Sequence, residues 1–188
     1  MSNSRIVEFS LSLSFLFAGC AGGALDNNIS LSVDGQNPVV LMEPDSGTEV
    51  ELAVVTYDKF GRVDSYDCRI KSGNASRTIK IRQKGPSQFG KMAEYEAELN
   101  GKPVPPSKAD SGKIGFSLKT QGGTLLSYKK DIQISMKSEL GYDNNGRAYV
   151  KRETFAHGGK NFDITFANHS HDKNGRLTGY KATVKIAK

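Results

Sequence analysis

Apolar and polar residues alternate along most of the chain after residue 28. In NISLSVDG, residues 28–35, an apolar residue occupies every second position. The same period of two recurs in RTIKIRQK, KIGFSLKT and DIQISMK, at residues 77–84, 113–120 and 131–137. Since the side chains of a β-strand point alternately to its two faces, each segment predicts a half-buried strand with a polar outer face.

Turn-forming residues separate these segments. Asp34-Gly35 ends the first, and EPDSG, residues 43–47, splits the apolar runs 39–42 and 50–57. Proline and glycine interrupt regular structure, so we predict turns at both places. KMAEYEAELN, residues 91–100, fits a strand through alternate residues and equally a short helix.

A short pattern occurs three times, as YDKFGR, YDNNGR and HDKNGR, starting at Tyr57, Tyr142 and His171. In each copy the aspartate can accept backbone N–H groups, and the glycine three residues later can adopt the positive φ that closes a hairpin loop. The pattern resembles the motif of YD-repeat proteins, but the second interval is far shorter than the first. Such uneven spacing indicates three separate hairpin turns rather than an array.

Together these segments predict an all-β protein of about ten strands, an antiparallel β-sandwich or small β-barrel built from hairpins. The 188 residues are enough for one domain with a substantial core. We place the β domain at residues 29–188. The only long predicted loop, residues 100–112, contains three prolines and is a candidate boundary between two halves.

The beginning of the chain has a different character. Arg5 is followed by the apolar run FSLSLSFLFA, residues 9–18, and then by Gly19 and Cys20. The run is too short for a permanent membrane-spanning helix, which needs about 20 apolar residues. Small residues directly before a cysteine resemble the lipobox of bacterial lipoproteins. An alternative interpretation of the serine-leucine alternation is an amphipathic strand.

The lipoprotein resemblance implies a signal peptide at residues 1–19 and a lipidated tether at residues 20–28. In that family the thiol, here Cys20, receives a diacylglycerol and the new amino terminus is acylated. The implied location is the bacterial cell envelope, with the membrane as a partner through the lipid anchor. Ala21 after the cysteine, rather than Asp, resembles the pattern of lipoproteins exported to the outer membrane in enteric bacteria, so the resemblance implies the outer rather than the inner membrane.

The second cysteine depends on the fate of the first. If Cys20 is acylated, Cys68 has no partner in the chain and should be a free, buried thiol. If Cys20 is not acylated, a disulfide between the two becomes possible in an oxidising compartment.

Charge is distributed unevenly. Residues 21–67 contain nine acids and two bases, a net charge of −7, whereas residues 69–188 contain 23 bases and 10 acids, a net charge of +13. Such asymmetry can indicate an anionic partner, whether lipopolysaccharide, an anionic lipid, a polysaccharide or nucleic acid. A protein partner would also fit a binding role. The alternatives are that the two parts face each other or that the charges are solvated. The candidate anion-binding residues are Arg77, Lys80, Arg82 and Lys84. They alternate with isoleucine rather than with stacking aromatic residues, which argues against nucleic acid.

All three histidines fall in one window, and Asp172 lies beside them. His169 and His171 should project to the same side of a strand, and a hairpin could bring His157 alongside. Zinc, copper or haem iron would accept such ligands. The alternative is that these are polar residues flanking turns.

No catalytic motif is present: the sequence lacks a Gly-x-Ser-x-Gly elbow, a phosphate-binding loop and a His-Glu-x-x-His pair. We therefore expect a lipid-anchored envelope protein that is not an enzyme, needs no cofactor and acts in binding or assembly. A secretion or envelope component, or a surface ligand-binding protein, would fit. The alternative function is metal or haem binding through the histidines.

Overall fold

The computed structural model describes residues 28–107, 113–118, 124–126 and 137–187. The signal peptide, Cys20 and nearly all of the strand predicted at 131–137 lie outside the described residues. The described residues form thirteen strands and no helix. In chain order the strands are β1 (Ser30–Asp34), β2 (Asn37–Met42), β3 (Glu49–Tyr57), β4 (Val63–Ser72), β5 (Ala75–Gln83), β6 (Tyr95–Leu99), β7 (Lys102–Pro103), β8 (Ile114–Ser117), β9 (Thr124–Leu126), β10 (Lys137–Tyr142), β11 (Ala148–His157), β12 (Lys160–His171) and β13 (Leu177–Ala187).

The strands form two antiparallel sheets. One has nine strands in the order β10-β11-β12-β13-β3-β4-β5-β6-β7, and the other has four in the order β1-β2-β8-β9. Apolar side chains from both sheets contribute to one buried core. This sandwich-like arrangement confirms the predicted all-β antiparallel fold.

The strands follow the sequence where its alternation and its turn residues are clear. The turn at Gly35 and the break at residues 43–47 separate β1, β2 and β3 as predicted. The ambiguous segment 91–100 contains strand β6, in which Tyr95, Ala97 and Leu99 are buried and the intervening residues are exposed. Of the two patterns that fitted this segment, strand alternation therefore describes it and helical spacing does not.

The chain on both sides of the loop at 100–112 enters both sheets. β13 pairs with β3 from Tyr180 opposite Leu52 to Thr183 opposite Glu49. In the smaller sheet, β8 pairs with β2. The candidate boundary in this loop therefore does not separate two halves of the described fold.

The sheet brings some acidic residues of the first part of the chain beside basic residues of the rest. The acidic strand β3 lies between β13 and β4, which carry basic residues on the same outer face. Lys181 Nζ lies 3.0 Å from Glu49 Oε2, and Arg69 Nη1 lies 3.4 Å from Glu51 Oε2. Each exposed pair stabilises the fold only slightly. Together they place acidic residues from the first part of the chain against basic residues from the rest.

Two buried tyrosines connect the sheets. The Tyr66 hydroxyl donates to the carbonyl oxygen of Pro38 at 3.0 Å, and the Tyr180 hydroxyl donates to that of Ser117 at 3.0 Å. The donors belong to the nine-stranded sheet and the acceptors to the adjacent strands β2 and β8 of the smaller one. Burial raises the pKa of both phenols well above the usual value, so both remain protonated donors.

The three repeated motifs form three hairpin turns of one geometry, as predicted. In the turns at 58–62, 143–147 and 172–176, the aspartate N–H donates to the arginine carbonyl and the glycine N–H to the aspartate carbonyl. Each aspartate Oδ1 accepts two further backbone N–H groups. Each glycine has φ between +73° and +79°. The flanking strands pair antiparallel.

Two of these hairpins are equivalent well beyond the turn. Residues 53–66 and 167–180 share Ala, Asp, Lys, Gly, Arg and Tyr at corresponding positions. The shared tyrosines are the two that connect the sheets. Both segments also have a β-bulge shortly before the aspartate, with φ of +55° at Val54 and +56° at Asn168.

The residue at the bulge is valine in one hairpin and asparagine in the other, and these two residue types differ in how well they tolerate a positive φ. Positive φ is acceptable for asparagine but strained for a β-branched residue. Val54 is 63% exposed, so packing of its side chain does not offset the strain.

We predict that Tyr66→Phe lowers the free energy of unfolding by about 1–3 kcal/mol, because the buried Pro38 carbonyl loses its donor. Urea unfolding followed by circular dichroism measures this. Tyr142→Phe is the control, since Tyr142 is 67% exposed and its change should have little effect. Equal stability of the two variants would contradict the role of the buried hydroxyl.

We predict that Val54→Asn, which installs the residue of the equivalent hairpin, stabilises the fold by about 1 kcal/mol and raises the Tm by about 2–4 °C. Val33→Asn is the matched control, because Val33 is also a partly exposed strand valine but is not among the non-glycine residues with positive φ. It should be neutral or slightly destabilising. A lower Tm for Val54→Asn would show that the valine is not strained.

Candidate functional site

The structure separates the residues of the predicted metal site. His157 ends β11 and lies opposite Lys160 at the hairpin leading into β12, whereas His169 and His171 lie near the other end of β12. Most of the length of that strand, about 30 Å, separates Lys160 from His169. Within the described ranges, no group of three or more His, Cys, Asp or Glu side chains could hold a metal ion.

The other members of that set have different neighbours. His169 lies against Tyr149, with ring centroids 4.5 Å apart, and burial lowers its pKa. His171 Nδ1 is 3.9 Å from Asp143 Oδ2. The carboxylate of Asp172 accepts backbone N–H groups and pairs with Arg176 at 2.6 Å. The Asp172 carboxylate therefore has its partners within its own turn. The four residues do not form one ligand set.

The predicted anion-binding residues do not share one basic face either. Lys80 and Arg82 lie on the outer face of β5, Arg77 has the strand parity of the buried isoleucines, and Lys84 follows the strand. In the sheet register, carboxylate residues of the neighbouring strands lie opposite the two outer-face cations. The pairs are Lys80 with Asp67 and Glu98, and Arg82 with Glu96. These carboxylates offset the positive charge of β5.

Cys68 is buried and has no disulfide partner among the described residues. Burial, with a smaller contribution from Asp67, raises its pKa to about 12. The thiol is therefore protonated and a poor nucleophile at neutral pH. A disulfide to this sulfur would require its partner to enter the core.

The three turns lie in a row at one end of the nine-stranded sheet. They connect β10 to β11, β12 to β13 and β3 to β4, and these hairpins are neighbours in the sheet order. Adjacent turns touch: the guanidinium carbon of Arg176 lies 4.3 Å from the ring centroid of Tyr57. We call this end of the molecule the turn end. The pairing of β13 with β3 brings the turn at 58–62 beside turns from the last third of the chain.

Exposed apolar side chains gather where the turn end meets the loop between β5 and β6, residues 84–94. Phe89 is 91% exposed, Met92 69% and Phe60 42%. The Phe60 and Phe89 ring centroids are 6.1 Å apart. We call these three residues the aromatic patch. Phe60 and Phe89 contact each other, and Met92 is exposed on the same loop as Phe89. Neighbouring exposed apolar side chains of this kind favour a binding surface.

The turn at 58–62 holds the loop in place. The Ser87 hydroxyl donates to Asp58 Oδ2 at 2.6 Å, and Arg62 Nη1 donates to the Lys91 carbonyl at 2.8 Å. The Arg62 guanidinium carbon also lies 5.0 Å from the Phe60 ring centroid. The aromatic patch is therefore presented on a fixed framework.

Sequence reasoning missed this patch, although one signal was present. Phe60 occupies the third position of its turn, where the other two turns have Asn145 and Asn174. An exposed phenylalanine at this position departs from the pattern of the other two turns. Phe89 lies in a segment without period two, so alternation gives no indication of its exposure. Met92 lies in the segment 91–100, which fitted a strand and a helix equally, so its exposure could not be predicted either.

We predict that Asp58 makes stability depend on acidity. Burial alone would raise its pKa, but hydrogen bonds from Ser87, Arg62 and Phe60 outweigh burial and lower the pKa to about 2. Because this is below the value of about 3.9 in an unfolded chain, the contribution is present above pH 4 and is lost as the pH falls towards 2. Urea midpoints between pH 2 and 5 should therefore fall less steeply in Asp58→Asn than in the wild type.

Ser87→Ala is the matched variant, since it removes one of these hydrogen bonds and leaves the carboxylate. It should also weaken the pH dependence. If both variants lose stability on acidification as the wild type does, the assignment to Asp58 fails.

The described residues form no helix with the length and hydrophobicity that a membrane crossing requires. Comparisons with protein-family models, curated proteins and solved structures gave no match. The geometry of the turn end is thus the basis on which a function can be argued.

Proposed function

We propose that this protein is a lipid-anchored component of the bacterial cell envelope, that it is not an enzyme, and that it binds a partner with its turn end. The observation that carries the proposal is the position of the aromatic patch relative to the start of β1. The supporting sequence feature is the resemblance of the segment ending at Cys20 to a lipobox.

The chain enters β1 on the side of the molecule that faces away from the aromatic patch. The Tyr95 hydroxyl lies 2.9 Å from the Gln36 carbonyl oxygen and 2.8 Å from that of Val63, which follows the turn at 58–62. The turn between β1 and β2 is therefore at the turn end, and β1 begins one five-residue strand length away from it. In agreement, Glu43 after β2 lies 3.4 Å from Lys160 in the opposite hairpin.

Chain length then favours one orientation of an anchored domain. Residues 20–28 span at most about 30 Å, even when fully extended. The start of β1 is separated from the turn end by the length of this strand, which has five residues and is about 17 Å long. A flexible tether of this length has a root-mean-square end-to-end distance of about 15–18 Å. An inverted domain would need the tether to span about that whole distance in one direction, whereas a domain with its turn end outwards needs no such extension. We therefore propose that the aromatic patch faces away from the anchoring membrane.

The first test is the intact mass of the protein extracted from native membranes. We expect the mass of residues 20–188 plus acyl chains for the wild type, and no acylated species for Cys20→Ala. The mass of the uncut chain in the wild type would overturn the anchor.

The second stage uses the acylated protein in vesicles, with a fluorescent donor at one introduced cysteine and an acceptor on lipid headgroups. Lys173→Cys reports on the turn end, and Asn74→Cys, in the β4–β5 hairpin, reports on the other. We expect stronger energy transfer from position 74, because it lies nearer the anchor. The buried Cys68 should stay unlabelled, as the parent protein will show. Equal or reversed transfer would overturn the proposed orientation.

A further inference from the structure

The aromatic patch is surrounded by lysines. Lys59, Lys84 and Lys91 are exposed beside it, and Lys59 Nζ lies 5.0 Å from the Phe60 ring centroid. The nearest acids offset little of this charge. Asp58 is paired with Arg62 at 2.8 Å, which leaves Glu94 against three lysines and a local net charge of +2.

A groove adjoins the patch. It has a volume of about 250 Å³ and is lined by both arms of the loop at 84–94, including Pro86, Lys84, Lys91, Met92 and Glu94. Its size suits one apolar side chain, and the lysines at its rim suit carboxylates on either side of that side chain. Because Ser87 and Arg62 fix the loop, little ordering is needed when a partner binds.

We infer that the aromatic patch and its lysines bind a protein partner through a segment that combines apolar side chains with carboxylates. A protein is favoured over a lipid surface because the adjoining groove has the size of one side chain. The proposed orientation also turns the patch away from the membrane that a Cys20 anchor would occupy. The inference rests on the proposed function for this orientation. The apolar residues supply buried area at the centre, and the lysines at the rim select an acidic partner and accelerate encounter.

The test is photo-crosslinking of the full-length protein in its own bacterial host, with p-benzoylphenylalanine in place of Phe89. The same group in place of Asn74, at the other end of the domain, is the control. We expect a protein adduct from position 89 and none from position 74. Peptide mapping should place the adduct in a segment with both carboxylate and apolar residues.

Charge reversal distinguishes specific binding of an acidic partner from crosslinking caused by proximity alone. Lys59→Glu, Lys84→Glu and Lys91→Glu together should lower the adduct yield roughly tenfold. Lys71→Glu, Lys80→Glu and Lys185→Glu change the net charge equally on the outer face of the sheet and should leave the yield unchanged. Thermal unfolding of both triple variants shows whether they are folded. Raised salt should lower the yield with wild-type lysines.

Several results would overturn the inference: no adduct from position 89, an adduct with the mass of a phospholipid, an adduct with a second copy of this chain, or a yield that the first triple variant leaves unchanged. Different results would overturn the proposed function. Absence of the acylated mass, or reversed energy transfer, removes the anchor or the orientation. An anchored and correctly oriented protein without the adduct loses only the inferred partner.

Discussion

The antiparallel pairing of β13 with β3 determines where most other features of the molecule lie. It joins the last strand of the chain to one of the first and so unites the early and late parts of the chain in one sheet. It places the acidic strand β3 between basic neighbours. It also brings the turn at 58–62 beside the turn at 172–176, without which the turn end would not exist as a surface. Such long-range pairing closes a large loop and is expected to form late in folding.

The two equivalent hairpins on either side of this pairing anchor the smaller sheet. Tyr66 and Tyr180 are both almost completely buried, and each would leave a polar group unsatisfied if its acceptor were lost. Their acceptors lie on adjacent strands, so the two hydrogen bonds fix both the distance and the register between the sheets. Burial of apolar area drives the sheets together, and these two bonds select one arrangement of them.

Local features of the fold could be predicted from the sequence, and distant ones could not. Alternation and turn residues predicted β1, β3 and β5 and the hairpin turns, because strand periodicity and turn geometry depend on neighbouring residues. The prediction of one metal site was wrong because the histidines lie too far apart. The hairpin places His157 opposite Lys160, a full strand length from His169. The aromatic patch was missed because it joins a turn to a loop that lies two strands further along the chain, and no periodic signal connects Phe60 with Phe89.

The shared geometry of the three turns has a consequence for how this surface can change. In each turn the shared bonds run through the backbone and the aspartate side chain, while the side chains of the two residues between aspartate and glycine are exposed and take no part in them. Those six positions, two in each of three adjacent turns, can carry different side chains on the same backbone geometry. One turn displays lysine and phenylalanine, and the others display asparagine or lysine. Recognition at this end can therefore diversify by single substitutions while the β-sandwich beneath stays the same.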